Sequence, residues 1–206
     1  MLDTGEQLLK SNPNPSGGGV NNGIVEYSTI GYSVAAPNNY TNGIDVHTGQ
    51  NWIIRDNVFE NILTTNALTT DSSGALAGPA VLIWNGSSNA TVTGNVFVNC
   101  QREIAFGLSD PSTITDDNTG GLIANNFIYR SGTQHGDVAI GVWNSPNTEV
   151  AYNTVVLNGD YVNAIEYRFS TTTGVKILYN LTDAAITQRD GASATVTGNV
   201  TNAQAS

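Results

Sequence analysis

The chain is 206 residues long, 39% apolar and 12% charged, with 17 acidic against 7 basic residues and a formal net charge of −10. That length is one domain or at most two, and so small an apolar supply requires a core that is narrow and continuous. The charge excludes bulk electrostatic attraction to nucleic acid or to an anionic membrane, and no stretch approaches the roughly 18 consecutive apolar residues of a membrane span.

In chain order, the opening Met1-Leu2-Asp3-Thr4-Gly5 has neither the basic head nor the apolar run of an export signal. The first apolar string, Gln7-Leu8-Leu9-Lys10, fits a strand with one buried face, in the frame of the later Ile44-Asp45-Val46-His47. Gly23-Ile24-Val25-Glu26-Tyr27-Ser28-Thr29-Ile30 follows as strand, corner and strand, with Ser28 where every later copy carries Asn. From Ile44 onward the pattern is regular. An apolar–x–apolar strand begins at Ile44, Val81, Ile104, Ile140, Ile165 and Ile186, and the second strand of each unit leads to Asn57, Asn95, Asn126, Asn153, Asn180 and Asn199. Six copies of one string predict an all-β fold: a right-handed, single-stranded parallel β-helix of about seven coils, one domain over residues 1–206.

The residue before each asparagine is Asp, Gly, Asn, Tyr, Tyr or Gly, a set weighted toward types that tolerate a left-handed turn, so a corner is expected there. Stacked at that corner, the six asparagines are expected to form a structural ladder, each amide donating to a carbonyl of the next coil. An inward asparagine is inaccessible, which discounts Asn180-Leu181-Thr182 and Asn199-Val200-Thr201 as glycosylation sites. Successive asparagines are 38, 31, 27, 27 and 19 residues apart, which puts insertions in the early coils. Clusters of Gly, Pro, Ser, Thr and Asp place them near 63–78, 109–120 and 131–137, beside the strand face. No capping helix precedes the first strand, so the expectation is a fragment lacking upstream coils, with an open end able to associate end to end with a second copy. Cys100, alone, has no partner for an internal disulfide or a cysteine zinc cluster and reads as a small buried residue.

With Ile44 and its equivalents pointing inward, the positions one before, one after and three after should point outward. The first of these columns contains Gly43, Ala80, Glu103, Ala139, Ala164 and Ala185; the second Asp45, Leu82, Ala105, Gly141, Glu166 and Thr187; the third Lys10, His47, Trp84, Gly107, Trp143, Arg168 and Arg189. Trp84 and Trp143, two coils apart with Gly107 between, would stand roughly 10 Å from each other, near the span of two sugar rings. Such a pair over a floor of small residues suits carbohydrate stacking, and equally suits a satellite core under the inserted loops. Lys10, Asp45 and His47 at one end, and Glu166, Arg168 and Arg189 at the other with Asp137 and Asp190 nearby, are candidate base, acid and charge-neutralising groups. The second set reads first as a surface ion network. Glu103 and Glu166 would be roughly 12 Å apart by strand spacing, wider than the pair of carboxyls that hydrolysis needs. His135 has no second histidine at ligand spacing, so no transition-metal site is expected. Asp116-Asp117-Asn118 has the oxygens a calcium ion takes, but reads first as an acidic loop.

Three strings, Tyr40-Thr41-Asn42-Gly43-Ile44-Asp45-Val46-His47, Asn99-Cys100-Gln101-Arg102-Glu103-Ile104 and Asn163-Ala164-Ile165-Glu166-Tyr167-Arg168-Phe169, carry a family resemblance. From about residue 7 onward the chain resembles the right-handed parallel β-helix repeat proteins of the pectate-lyase-like superfold. It is nearest to secreted bacterial members related to the alginate and chondroitin lyases of polysaccharide lyase family six, and to periplasmic copper-maturation repeat proteins. The resemblance implies extracellular or periplasmic work on a polysaccharide or oligosaccharide, with a lysine–arginine acid/base pair and a bound calcium ion as the one cofactor. No lysine–arginine pair here maps onto that pattern residue by residue. The expectation is therefore a polysaccharide-active domain, lyase-like by resemblance, against the alternative of a non-catalytic carbohydrate-binding or self-associating module.

Overall fold

The repeated strings are rich in Val, Ile and Thr, side chains that suit a pleated, half-buried surface. At two to six residues each, however, the strands are too short to be stable without neighbours on both sides. The computed structural model describes residues 1–13, 18–65, 76–112, 116–132 and 135–203. The middle parts of the three expected insertions, 66–75, 113–115 and 133–134, lie outside the described residues. Among the described residues there is no α-helix, and equivalent strands of successive repeats lie side by side in long, wholly parallel sheets, consistent with a parallel β-helix.

The first sheet has seven strands in the order Leu9–Ser11, Ile44–His47, Val81–Trp84, Ile104–Phe106, Ile140–Trp143, Asn163–Arg168 and Ala185–Arg189. The second, also of seven, runs from Ile24–Glu26 through Ile53–Arg55, Thr91–Thr93, Leu122–Ala124, Glu149–Ala151 and Val175–Leu178 to Ala194–Thr197. The third, of six, runs from Thr29–Gly31 through Val58–Glu60, Val96–Val98, Phe127–Tyr129 and Thr154–Val156 to Leu181–Thr182. The core between the sheets is a stack of like residues. Ile44, Val81, Ile104, Ile140 and Ile165 are all buried, and Phe59 and Phe97 from neighbouring repeats stack at 4.8 Å with planes 8° apart.

Register in the first sheet follows the repeat, with Ile44 opposite Val81, Val81 opposite Ile104, Ile104 opposite Ile140, Ile140 opposite Ile165 and Ile165 opposite Ile186. The first strand departs from expectation: Leu9 lies opposite Ile44 and Lys10 opposite Asp45, so Lys10 belongs to the column of Asp45 and not to that of His47. A slip of two residues keeps every side chain on its own face, so alternation alone cannot detect it. A bulge at Ala164 likewise puts Asn163, not Ala164, opposite Ala185.

At the bend between the second and third sheets the chain turns through a left-handed residue in each repeat: Tyr27, Asp56, Gly94, Asn125, Tyr152, Tyr179 and Gly198 all have φ between 51° and 70°. The following asparagine is buried in five of the six copies, at 1–2% exposure for Asn57, Asn95, Asn126, Asn153 and Asn180. Backbone N and Nδ2 of Asn57 both donate to Oδ1 of Asn95 at 3.0 Å. The same pair of bonds joins Asn95 to Asn126, Asn126 to Asn153, Asn153 to Asn180 and Asn180 to Asn199. The second amide hydrogen goes to a backbone carbonyl of the preceding repeat, Ile54 O for Asn95 and Val92 O for Asn126, so each amide donates both to the next coil, as expected, and to the preceding one. Ser28, lacking an amide, still donates its backbone N–H to Asn57 Oδ1 at 3.0 Å. Replacing Asn126 strands two buried donors of Asn95 and takes a donor from Asn153 Oδ1, whereas Asn199, which accepts the same two donors from Asn180, does so at a partly exposed position where water can replace it. Asn126→Ala should therefore cost about 3 kcal/mol or more in denaturant unfolding and Asn199→Ala about 1 kcal/mol; equal costs would mean that the bonds are not cooperative along the column.

Candidate functional site

The outward face of the first sheet is mostly roofed over. Asp45, Leu82, Ala105 and Glu166 are 2%, 3%, 6% and 0% exposed, so the second column is not the open surface expected of it. Pro79, Arg102, Leu108 and Val138, from segments between the strands, close over Ala105, Gly141 and Trp143 and leave only a narrow slot. The first column is internal as well, with Ala80, Glu103, Ala139 and Ala164 fully buried. Glu103 accepts Arg130 Nε at 2.9 Å and Nη2 at 2.7 Å, while Arg130 Nη1 reaches Asp160 at 3.1 Å and Nη2 also donates to Gln101 O at 3.0 Å. Burial pushes the Glu103 carboxyl above its ordinary range against the pull of the Arg130 charge. A carboxylate enclosed in this way is a structural ion partner, not a group facing a substrate.

The candidates at the C-terminal end are also tied to one another. Glu166 accepts Asn163 Nδ2 at 2.6 Å and Arg189 Nη1 at 3.0 Å. Arg168 Nε donates to Asp190 at 2.6 Å, and its guanidinium lies 4.7 Å from the centre of the Trp143 ring. Asp137 is held by Arg102 at 2.7 and 2.9 Å and by the N–H of Val138. Trp143 rests against Gly141, its Nε1 3.4 Å from where a Cβ there would sit, and that N–H is buried without a hydrogen-bond partner among the described residues. Gly107 is not an open floor between the tryptophans. Its φ is +77°, and a Cβ would stand 1.8 Å from the Trp143 carbonyl oxygen, so the position admits only glycine. Leu108 borders both the Trp143 slot and the opening beside Trp84, and the single two-tryptophan groove expected from the sequence is divided there. The acidic string spends one of its two carboxylates on its own loop. Asp117 is buried and accepts the N–H groups of Asn85, Leu108 and Ser109 at 2.6, 2.7 and 2.6 Å, which organises the loop and uses both carboxylate oxygens.

What stays open is a groove of about 290 Å³ at the N-terminal end of the first sheet, whose lining includes Lys10, Tyr40, Asn42, Asp45, His47 and Trp84. Asp45 is its hub: Oδ1 accepts Trp84 Nε1–H at 2.8 Å, and Lys10 Nζ and His47 Nε2 lie 3.3 Å from the carboxylate. Asn85 Nδ2 is 3.2 Å from His47 Nδ1, and His47 Nε2 faces the Asp45 carboxylate, so both ring nitrogens have a partner. The imidazole also packs against the Trp84 indole, centroids 4.8 Å apart. With both nitrogens engaged, His47 has no lone pair directed at the groove. Lys10 Nζ donates to the Tyr40 hydroxyl at 2.8 Å. Burial alone would lower the Lys10 ammonium, but the hydrogen bond to Tyr40 and the charge of Asp45 outweigh it and hold it above its ordinary value. Conversely, the bond from Lys10 holds the Tyr40 phenol below the ordinary range, and the ring is 58% exposed.

The register thus brings Lys10, Asp45, His47 and Trp84 together and keeps them apart from Glu103, Glu166, Arg168, Arg189 and Trp143. Sequence reasoning missed Tyr40 and Arg130 as site and core residues. Tyr40 stands in a segment outside the repeat, where strand parity assigns no direction, and Arg130 follows the third strand of its unit, where only the partner on another repeat explains it. Among the described residues no cluster of three or more His, Cys, Asp or Glu side chains has the arrangement of a metal site. Compared with family models, curated proteins and solved structures, the chain matches none. Truncating the buried cation leaves the Glu103 carboxylate in the interior without its guanidinium and removes one of the partners of Asp160. Arg130→Met should therefore cost about 3–5 kcal/mol, against about 1 kcal/mol or less for Arg55→Met in the exposed Arg55–Glu26 pair. Comparing the two denaturation midpoints tests whether the buried cluster carries the stability.

Proposed function

We propose that the chain is a right-handed parallel β-helix of about seven coils with an asparagine ladder, of the pectate-lyase-like kind, and that it is a polysaccharide-active domain working in an extracellular or periplasmic setting. Parallel strands joined by crossovers are almost always right-handed, which supports the handedness, and the family resemblance supports the setting. The observation that carries the functional reading is the groove itself: Trp84 and the exposed Tyr40 are among its lining residues, aromatic groups of the kind that pack against sugar C–H groups, and the Lys10 ammonium is bonded to the Tyr40 oxygen. Its volume of about 290 Å³ suits one or two sugar rings rather than a long buried segment.

A second reading, a carbohydrate-binding module without catalysis, is favoured by one observation: Asp45, His47, Glu166, Arg168 and Arg189 are each bonded to another of these side chains or to a neighbouring one. Titration of the protein with polygalacturonate, alginate, chondroitin sulfate and a neutral glucan, with and without calcium, should change tryptophan fluorescence for at least one polymer. Trp84→Ala should weaken that binding about tenfold or more, the loss of one stacking anchor. A fluorescence trace indifferent to all four polymers would remove both readings.

A further inference from the structure

Of the left-handed corner residues between the second and third sheets, Asp56, Gly94, Asn125 and Gly198 are types that accept that backbone at little cost. Tyr152 and Tyr179 are not: at φ of 57° and 54° a bulky residue is disfavoured, and here two such residues follow each other in the column. Their backbones are fixed, Tyr152 N–H donating to Leu178 O at 3.1 Å and Tyr179 N–H to Thr197 O at 3.2 Å. Their rings stack with centres 5.5 Å apart and planes 10° from parallel. On its other side Tyr179 lies across Gly198, where an added Cβ would stand 2.3 Å from the ring atom Cδ1. Both residues are nonetheless open to solvent, at 57% and 54% exposure. Among the described residues they are the one pair of tyrosines with rings in contact. Tyr32 and Tyr167 are buried, Tyr40 is bonded to Lys10, Tyr129 lies between Val98 and Val156 in its sheet, and the corner residue after Tyr27 is Asp56.

We propose that Tyr152 and Tyr179 are a site of oxidative modification, at which a peroxidase using hydrogen peroxide couples the two rings into a dityrosine that staples neighbouring repeats. Each phenol gives up one electron and its hydroxyl proton, leaving a radical shared between the oxygen and the ring carbons beside it. The two unpaired electrons form a carbon–carbon bond between one such carbon on each ring. The hydrogen displaced from each of these carbons returns to the phenol oxygen, so both hydroxyls are restored. The two hydrogens lost overall reduce one hydrogen peroxide to two waters. Side chains rooted at equivalent positions of adjacent repeats keep like atoms of the rings about one repeat spacing apart, so each radical meets its partner within the molecule and not by diffusion. A chain of formal charge −10 also repels its own copies, which disfavours coupling between molecules. The new bond closes the chain from residue 152 to residue 179, which restricts the unfolded state and stabilises the folded one.

The test treats the intact chain at micromolar concentration with a haem peroxidase and hydrogen peroxide. Dityrosine fluorescence, the mass of the monomer and the peptides of a protease digest are followed. The expected product is a monomer lighter by two hydrogens, in which the peptides carrying Tyr152 and Tyr179 are joined. Tyr152→Phe and Tyr179→Phe should each lower the dityrosine fluorescence of the monomer about tenfold or more, the advantage of a pre-placed partner over one met by diffusion. Tyr27→Phe, which removes a still more exposed phenol from the same column, should leave it unchanged. The oxidised monomer should unfold at a higher denaturant concentration than the untreated chain, and oxidised Tyr179→Phe should not. Dityrosine found only in covalent dimers, or joining any other pair of tyrosines, would overturn the proposal, as would an oxidised monomer that keeps both hydrogens. A link between Tyr152 and Tyr179 that leaves the unfolding midpoint where it was would overturn its role as a staple.

Discussion

Each repeat is too short to hold its own shape, and the bond that makes it dependent on its neighbours is the asparagine amide at the bend between the second and third sheets. A buried primary amide has two donors and an acceptor with two lone pairs, all of which cost free energy if unmatched. The only arrangement that satisfies all of them at a corner is an identical amide one repeat away and a backbone carbonyl on the other side, which is what Asn95, Asn126, Asn153 and Asn180 have. Once the corner is set, the residue before it is forced into the left-handed region, and the strands on either side inherit their register.

Register then determines what meets what. Because like positions stand side by side, Ile44, Val81, Ile104 and Ile140 make one column of the core, and Phe59 stacks on Phe97. Polar residues obey the same constraint. Arg130 becomes a fully buried cation because Glu103 and Asp160 come from neighbouring repeats to meet it, and that cluster takes the place of apolar packing where the inserted segments return to the sheet.

In a chain with a formal charge of −10, positive charge is scarce, and most of it is committed. Arg55, Arg102, Arg130, Arg168 and Arg189 are each paired with a carboxylate, and Lys176 lies 3.8 Å from Glu149. Lys10 is also paired, with Asp45, but it alone pairs inside a groove while bonding an exposed phenol. That combination, and not the number of basic residues, separates the N-terminal end of the first sheet from the rest of the surface.

The sequence by itself determined the repeat, the parallel pairing of like strands, the asparagine positions and the alignment of Asp45 with Leu82 and of His47 with Trp84. These depend on periodicity, and periodicity survives in a single chain as spacing. It also brought Lys10, Asp45 and His47 into one neighbourhood and set Trp84 with Trp143 in a separate grouping. Only the tertiary structure decided that Lys10 stands opposite Asp45, since a shift of two residues leaves the pattern of faces unchanged. It alone closed the face over Leu82, Ala105 and Glu166, divided the two tryptophans at Leu108, and set Tyr40 beside Lys10. For the closed face, the division at Leu108 and the place of Tyr40 the physical reason is common. They are made by segments outside the repeat folding back onto it, and where such a segment lands depends on its packing against the sheet, which no spacing along the chain records.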